Sequence, residues 1–413
     1  MNILVYPPVH GFGMSTLFYS TQRALPEHVN WHVAHMNTIP ENTISLNAFD
    51  FAHFYTLPDV YTSFQNLVAA QRVGLRVIAT ALYGNPTRYL TEGLALAELP
   101  NAGRGAELDA EIRAALLDVE RALMRVIYHA CDLLIALSSS EADALVTDFG
   151  IARERIVIAA CGVETRFANA TPKLFREKFG LDNFVLCVGR VDANKNQLNL
   201  IRALRDENLP LVLAGGSLAP PYLDECKKIA GANIHFLPSL SDEELGSAYA
   251  AAHTHALVSW LEVVGLVTLE AAVAGSNVVL TREHGARDYI GDAGWYCDPG
   301  DPKSIRLAVL NAYHAPRQTK LRTHLLETYS WEQHAQTIAD AYQYARTLPR
   351  RVEAETASVQ FQETIRSFVT LVPLLEQARA DLWREKSELA RTVDGYANGR
   401  VMRALNALRR FAR

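Results

Sequence analysis

Short apolar runs alternate with longer helical patterns over the first 345 residues, and that alternation predicts parallel α/β layers. In the first half the runs are Ile3-Leu4-Val5-Tyr6, Trp31 to Ala34, Phe51 to Phe54, Arg76 to Ala81, Leu133 to Leu137 and Ile156 to Ala160. Between them, Glu107 to Ala130 carries Ile112, Leu116, Val119, Leu123, Val126 and Ile127 at helical spacing, which predicts one long helix. The grammar restarts with Phe184 to Val188, Leu211 to Ala214, Ile234 to Leu237, His255 to Val258 and Val278 to Leu280. Two Rossmann-like domains are therefore expected, 1–168 and 169–348, with the C-terminal ends of their strands pointing loops into a shared cleft.

From about Arg350 the pattern becomes that of a long polar helix. Phe361, Ile365, Phe368, Val372, Leu375, Leu382, Leu389, Val393 and Tyr396 follow coiled-coil spacing, with Pro373 as an expected kink. Arg379 and Lys386 fall on the same seam, so residues 350–396 read either as a hairpin packed on the body or as a contact with a partner or second copy. Residues 349–413 are thus expected to form a helical extension.

A chain of 413 residues exceeds one ordinary core, and 49 % hydrophobic with 21 % charged residues is the composition of soluble domains. No apolar run reaches bilayer length, and the first residues lack the basic start of a signal peptide. Cys131, Cys161, Cys187, Cys226 and Cys297 are scattered, with no C-x-x-C pair, which predicts a reducing, cytoplasmic setting. The net charge is −5, yet residues 400–413 hold five Arg and no acid. Such polarity argues against a nucleic-acid binder. Val401, Leu405, Leu408 and Ala412 share one face of that tail, so it reads either as a helix lying on an anionic membrane surface, the cytoplasmic face of the inner membrane, or as an ordinary docking helix or frayed end.

The candidate chemistry concentrates in Ser259 to Gly275, where Glu262 sits in a Gly-containing turn and Glu270 eight residues on in an apolar helical run. By helical step both carboxylates face one cleft without touching, as acceptors for a polyhydroxylated ligand. The amides of Val264 to Leu266, at a helix start, suit a phosphate. Gly189-Arg190 and Lys195 place two cations just after a strand, apt for a diphosphate. Near the N-terminus, His10-Gly11-Phe12-Gly13 follows the first strand as a turn where amides can approach a phosphate or simply close the chain. His53, at a strand end, reads as a satisfied core histidine.

Together, Glu262-x7-Glu270, Val188-Gly189-Arg190 with Lys195, Leu213-Ala214-Gly215-Gly216, Leu240 to Leu245 and Ser330-Trp331-Glu332 resemble the retaining, metal-independent GT-B glycosyltransferases of family 4. Ile158 to Phe167 resembles that family's interdomain segment. The resemblance implies a nucleotide-diphosphate sugar as donor substrate, no cofactor and no metal, and a glycan or lipid-linked acceptor. On this resemblance Arg190, Lys195 and Glu262 are catalytic. Glu270 would bind the ribose, Gly265, Leu266 and Val267 would lend amides, Gly11 and Gly13 would close the cradle, and residues 235–240 would lie near the base. No D-x-D occurs in the chain. Val263-Val264-Gly265 replaces the family's usual Gly-Phe-Gly, and Tyr83 stands in a segment where the family often has a donor-contacting His. The family habit also implies bacterial surface polysaccharide synthesis. Two other readings are a degenerate scaffold or regulatory subunit and a GT-B sugar-nucleotide epimerase.

Overall fold

The computed structural model describes residues 1–6, 12–33, 48–55, 60–93, 103–217, 219–351 and 356–364. Its first sheet is built from β1 (Asn2–Tyr6), β2 (Asn30–Val33), β3 (Phe51–Tyr55), β4 (Arg76–Thr80), β5 (Leu133–Ala136) and β6 (Ile156–Ile158), in the order β2-β1-β3-β4-β5-β6. All of its pairings are parallel. Helices α1 (Phe12–Ala24), α2 (Val60–Arg72), α3 (Gly103–Ala130) and α4 (Ser139–Phe149) connect these strands. The central strands β3 and β5 are buried at every position, because a sheet covered on both faces leaves no side for polar residues.

After a short helix α5 (Lys173–Phe179) the second sheet begins, with β7 (Val185–Val188), β8 (Leu211–Ala214), β9 (Ile234–Leu237), β10 (Thr254–Leu257), β11 (Asn277–Thr281) and β12 (Trp295–Cys297). Its order is β12-β11-β10-β7-β8-β9, again all parallel. The strand β12 carries only three residues and has no apolar run long enough to announce it. Its helices are α6 (Gln197–Leu204), α7 (Pro220–Ile229), α8 (Asp242–Ala251), α9 (Leu266–Ala274), α10 (Arg287–Ile290), α11 (Pro302–His314) and α12 (Thr319–Thr328). Local chemistry explains several of the boundaries. Ser241 and Glu244 form a reciprocal capping box at the start of α8, and Gly275 ends α9 in the left-handed conformation at φ 99°.

The long helix α13 (Trp331–Thr347) follows the second sheet in sequence but packs on the first, against α1. Its Tyr342 hydroxyl accepts from Trp31 Nε1 at 3.0 Å and bonds the ring of buried His53 at 2.7 Å, whose other nitrogen meets Thr80. Residues 356–364 continue as a helix whose Phe361 stacks on Phe64 of α2, ring centroids 3.7 Å apart. The expected coiled-coil seam beyond 364, the Pro373 kink and the basic segment 400–413 lie outside the described residues. Among the described residues no helix is long and apolar enough to cross a membrane.

The two sheets also meet directly. Arg88 makes a two-pronged contact with Asp298 at 2.6 and 2.7 Å and lies over the Trp260 ring. The Ser140 amide donates to Asp288 at 2.8 Å, and the Tyr289 hydroxyl bridges the Cys161 amide and the Leu137 carbonyl.

Candidate active site

In the second sheet the strand order reverses between β7 and β10: the chain proceeds from β7 outward through β8 and β9, then returns to add β10, β11 and β12 on the other side. The loops leaving β7 and β10 come off the sheet at this reversal, where open parallel sheets bind ligands in the crevice at the strand C-terminal ends. The loop after β7 is Gly189 to Asn196. Close approach begins at its root, since a Cβ on Gly215 would fall 2.0 Å from the Gly189 carbonyl oxygen.

Two asparagines tie this loop to the one after β10. Asn194 donates to the Leu261 carbonyl and accepts from the Leu261 amide, both at 3.0 Å, and its carbonyl takes the Trp260 amide at 2.8 Å. Asn196, held at φ 60° and buried, donates to the carbonyls of Val258 and Pro299 at 3.0 and 2.8 Å. The stitching brings Lys195 to Glu262, and its Nζ forms an ion pair with Glu262 Oε1. Burial alone would raise the Glu262 carboxyl, but the Lys195 ammonium holds it below the usual carboxylate value. Glu262 is thus an anion at neutral pH, kept so by one cation.

Beyond Glu262 the chain turns into α9. Gly265 caps that helix at φ 68° and ψ 60°, and no side chain among the described residues caps its first amides. A Cβ at Gly265 would lie 2.3 Å from His284 Cε1, so the left-handed turn and the imidazole above it both require glycine here. The turn after β11 closes over the same loop. A Cβ on Gly285 would sit 1.5 Å from the Val263 carbonyl oxygen, and the Gly285 amide donates to the Glu262 carbonyl at 3.2 Å. His284 and, beneath it on β10, His255 are both buried, and desolvation drives their imidazoles down to about 4 and about 3. Both are neutral at physiological pH.

Glu270 lies on α9, 8 % exposed, and accepts from the Tyr249 hydroxyl at 2.9 Å. Burial raises its carboxyl to about 7 even though Tyr249 opposes the shift. The small depression beside it is lined by Thr16 of α1, Gly162, Glu164, Leu266 and Trp331, so the first sheet's leading helix reaches this end of α9. Glu164 is itself held by Trp331 Nε1 at 3.0 Å and Ser20 at 3.1 Å.

Several expectations change at this point. The helical step from Glu262 to Glu270 does not apply, because α9 begins only at Leu266; the two carboxylates reach separate partners, Lys195 and Tyr249. Gly13 is not in a turn ahead of a helix but inside α1, and Gly11 and His10 lie outside the described residues. Arg190 is exposed and pairs with Asp192 at 3.2 Å, whereas Lys195 pairs with Glu262. Tyr83 is not brought to the cluster: its ring packs on Phe149 and its hydroxyl donates to Asp148 at 2.7 Å. Leu266 and Val267 occupy the first turn of α9 as expected, and Val264 is core. Sequence reasoning missed Asn194, Asn196, His284 and Gly285. The only signal they carried was a polar residue or glycine just beyond a strand end.

Residues 173–328 match the family model described as glycosyl transferases group 1. Over 259 residues the chain is 26 % identical to mannosylfructose-phosphate synthase of Agrobacterium fabrum, a match covering 56 % of this chain and 57 % of that protein. The chain spans about half the length of the curated relatives it matches. Among solved structures, sucrose-phosphate synthase from Thermosynechococcus elongatus superimposes with a TM-score of 0.63 at 16 % identity, covering 83 % of this chain and 98 % of that one. Anabaena HepE in complex with UDP and glucose does so at 0.56 and 16 %, covering 88 % and 99 %. With its two six-stranded parallel sheets the chain has the GT-B fold, and its segment 173–328 is similar to the group 1 glycosyl transferases.

Proposed function

We propose that this protein is a retaining glycosyltransferase of the family 4 type, moving a hexosyl group from a nucleotide-diphosphate sugar to a glycan or lipid-linked acceptor. The observation that carries this reading is the Lys195–Glu262 pair in the β7/β10 crevice, beside the uncapped start of α9. A cation, a row of amides and a fixed anion together suit a ligand with phosphate at one end and hydroxyls at the other. HepE, whose structure was solved with UDP and glucose, supports the ligand class.

In this reading Lys195, joined by Arg190 swinging from Asp192, neutralises the diphosphate as the bond from the sugar's anomeric carbon to the phosphate oxygen breaks. The amides of Gly265, Leu266 and Val267 share that charge, and they cost no reorganisation because the helix already orients them. Glu262 accepts from sugar hydroxyls, and Glu270 accepts from the ribose. The acceptor oxygen attacks from the face the diphosphate leaves, and its proton passes to the departing phosphate, so no separate base is required. No metal is assigned to the reaction, and no cofactor beyond the donor. The basic segment 400–413 would hold the enzyme near a lipid-linked acceptor at an anionic membrane face, in surface polysaccharide synthesis.

Calorimetric titration with UDP, GDP and ADP, followed by hydrolysis assays with the matching sugar nucleotides, tests the reading. One diphosphate should bind and one sugar nucleotide should be slowly hydrolysed; no binding of any would refute it.

A further inference from the structure

The imidazole of His284 carries a hydrogen-bond donor that nothing in the described structure receives. Its Nδ1 accepts from the Ala286 amide at 3.1 Å, which places the single proton of the neutral ring on Nε2. Nε2 is buried and has no partner among the described residues, while the whole residue is 2 % exposed. A buried donor left unmet costs about 1–3 kcal/mol, so such a group persists where a ligand supplies the missing acceptor.

The direction of that donor is given by its neighbours. Nε2 lies 2.7 Å from where a Cβ on Gly265 would stand, which puts it at the cap of α9 next to the uncapped amides. The charges of Glu262 and Lys195 both reach the ring. Glu262 is the acceptor here and Lys195 engages it; the other polar groups at this cap, the α9 amides and His284 Nε2, donate. Together with the Lys195 cation, those donors suit a ligand atom that only accepts, as a phosphate oxygen does.

We infer that His284, as a fixed neutral donor, hydrogen-bonds a diphosphate oxygen of the bound nucleotide at the start of α9. This rests on the nucleotide-sugar reading of the site and adds to it a residue from the β11 turn. Because the ring is neutral, it contributes direction rather than charge, complementing the mobile charge of Lys195.

Two substitutions separate this contact from a role in holding the turn. In His284→Asn the amide oxygen can stand in for Nδ1 and keep the Ala286 bond, but nothing replaces Nε2. In His284→Gln the amide nitrogen reaches the Nε2 position while the Ala286 bond is lost. Affinities for UDP, GDP and ADP are measured by calorimetry on the full chain, with thermal unfolding as a folding control. For the nucleotide that wild type binds, His284→Asn should weaken binding about tenfold, and His284→Gln should stay within about threefold of wild type. Wild-type affinity in His284→Asn would overturn the contact and leave the glycosyltransferase reading standing. Equal losses in both variants would assign His284 to the turn and also overturn it. Weakening seen only with the sugar nucleotide would move the contact to the sugar, against the inference. Failure of wild type to bind any diphosphate would overturn the broader reading together with this one.

Discussion

Two loops of this molecule invite comparison, the one leaving β10 (258–265) and the one leaving β4 (81–93). Both come off the C-terminal ends of buried parallel strands, and they touch each other: a Cβ on Gly84 would lie 2.5 Å from Leu261, and one on Gly93 would lie 2.9 Å from Trp260. Their polar groups are used in opposite ways. The β10 loop is held from outside by Asn194, Asn196 and Gly285, which leaves Glu262 and the α9 amides facing the crevice. The β4 loop is held by side chains of α3 and α4 and, through Arg88, by Asp298. Glu141 accepts from the Tyr83 amide at 2.7 Å, the Tyr83 and Asn85 side chains both donate to Asp148, and Arg121 reaches Asn85. Its tight bend forces Leu82 to φ 51°, a conformation unusual for a branched side chain. Position at a strand end is therefore not enough to make a residue part of a site; what matters is whether its polar atoms are already engaged.

The sharpest way to break this comparison is Gly285→Ala. The new methyl group would meet the Val263 carbonyl at 1.5 Å, and backbone on both sides must move. Destabilisation of about 3 kcal/mol or more is expected by denaturant unfolding, with loss of nucleotide binding, because the β10 loop loses its outer wall. An alanine variant of wild-type stability would show that the turn does not hold the loop.

Lys195→Ala comes next. It leaves a mostly buried carboxylate unpaired, and about 3 kcal/mol of stability should be lost at pH 8. The pH dependence has a definite sign. In wild type the depressed Glu262 carboxyl contributes stability above the ordinary carboxylate range, and this is lost as pH falls through its lowered value. Without Lys195, burial raises the same carboxyl, and acid then relieves the variant by protonating it. The gap between the two proteins should shrink steadily from pH 8 to pH 5 in thermal unfolding. A gap that stays constant would mean that Glu262 does not depend on Lys195.

Tyr83→Phe should have the smallest effect and sharpens the other side. Losing the hydrogen bond to Asp148 is expected to cost about 1 kcal/mol of stability while nucleotide affinity stays unchanged. A marked loss of affinity would return Tyr83 to the site.

Much of the fold was legible because parallel strands covered on both faces must be apolar along their length, and eleven such runs stand out between turn residues. β12 was not, since this edge strand is only partly buried and Trp295-Tyr296-Cys297 holds no run of aliphatic residues. The glycine and cation following β7 and the two carboxylates after β10 could be read for the same reason: chemistry placed at strand ends interrupts an apolar grammar. His284 was harder. Arg282-Glu283-His284-Gly285 reads as an ordinary polar turn, and only the spatial return of β11 beside β10 shows that the turn lies over Gly265.

By itself the chain's pattern determined two α/β units and the loops that carry charge, because these follow from neighbours close in sequence. The tertiary structure decided the partners. It paired Lys195 with Glu262 through the strand reversal between β7 and β10, sent Glu270 to Tyr249, kept Tyr83 with Asp148, and laid α13 on the first sheet through Tyr342. Each of these contacts joins residues distant in sequence, and which of several chemically suitable partners a side chain meets is set by the order of strands and the packing between them.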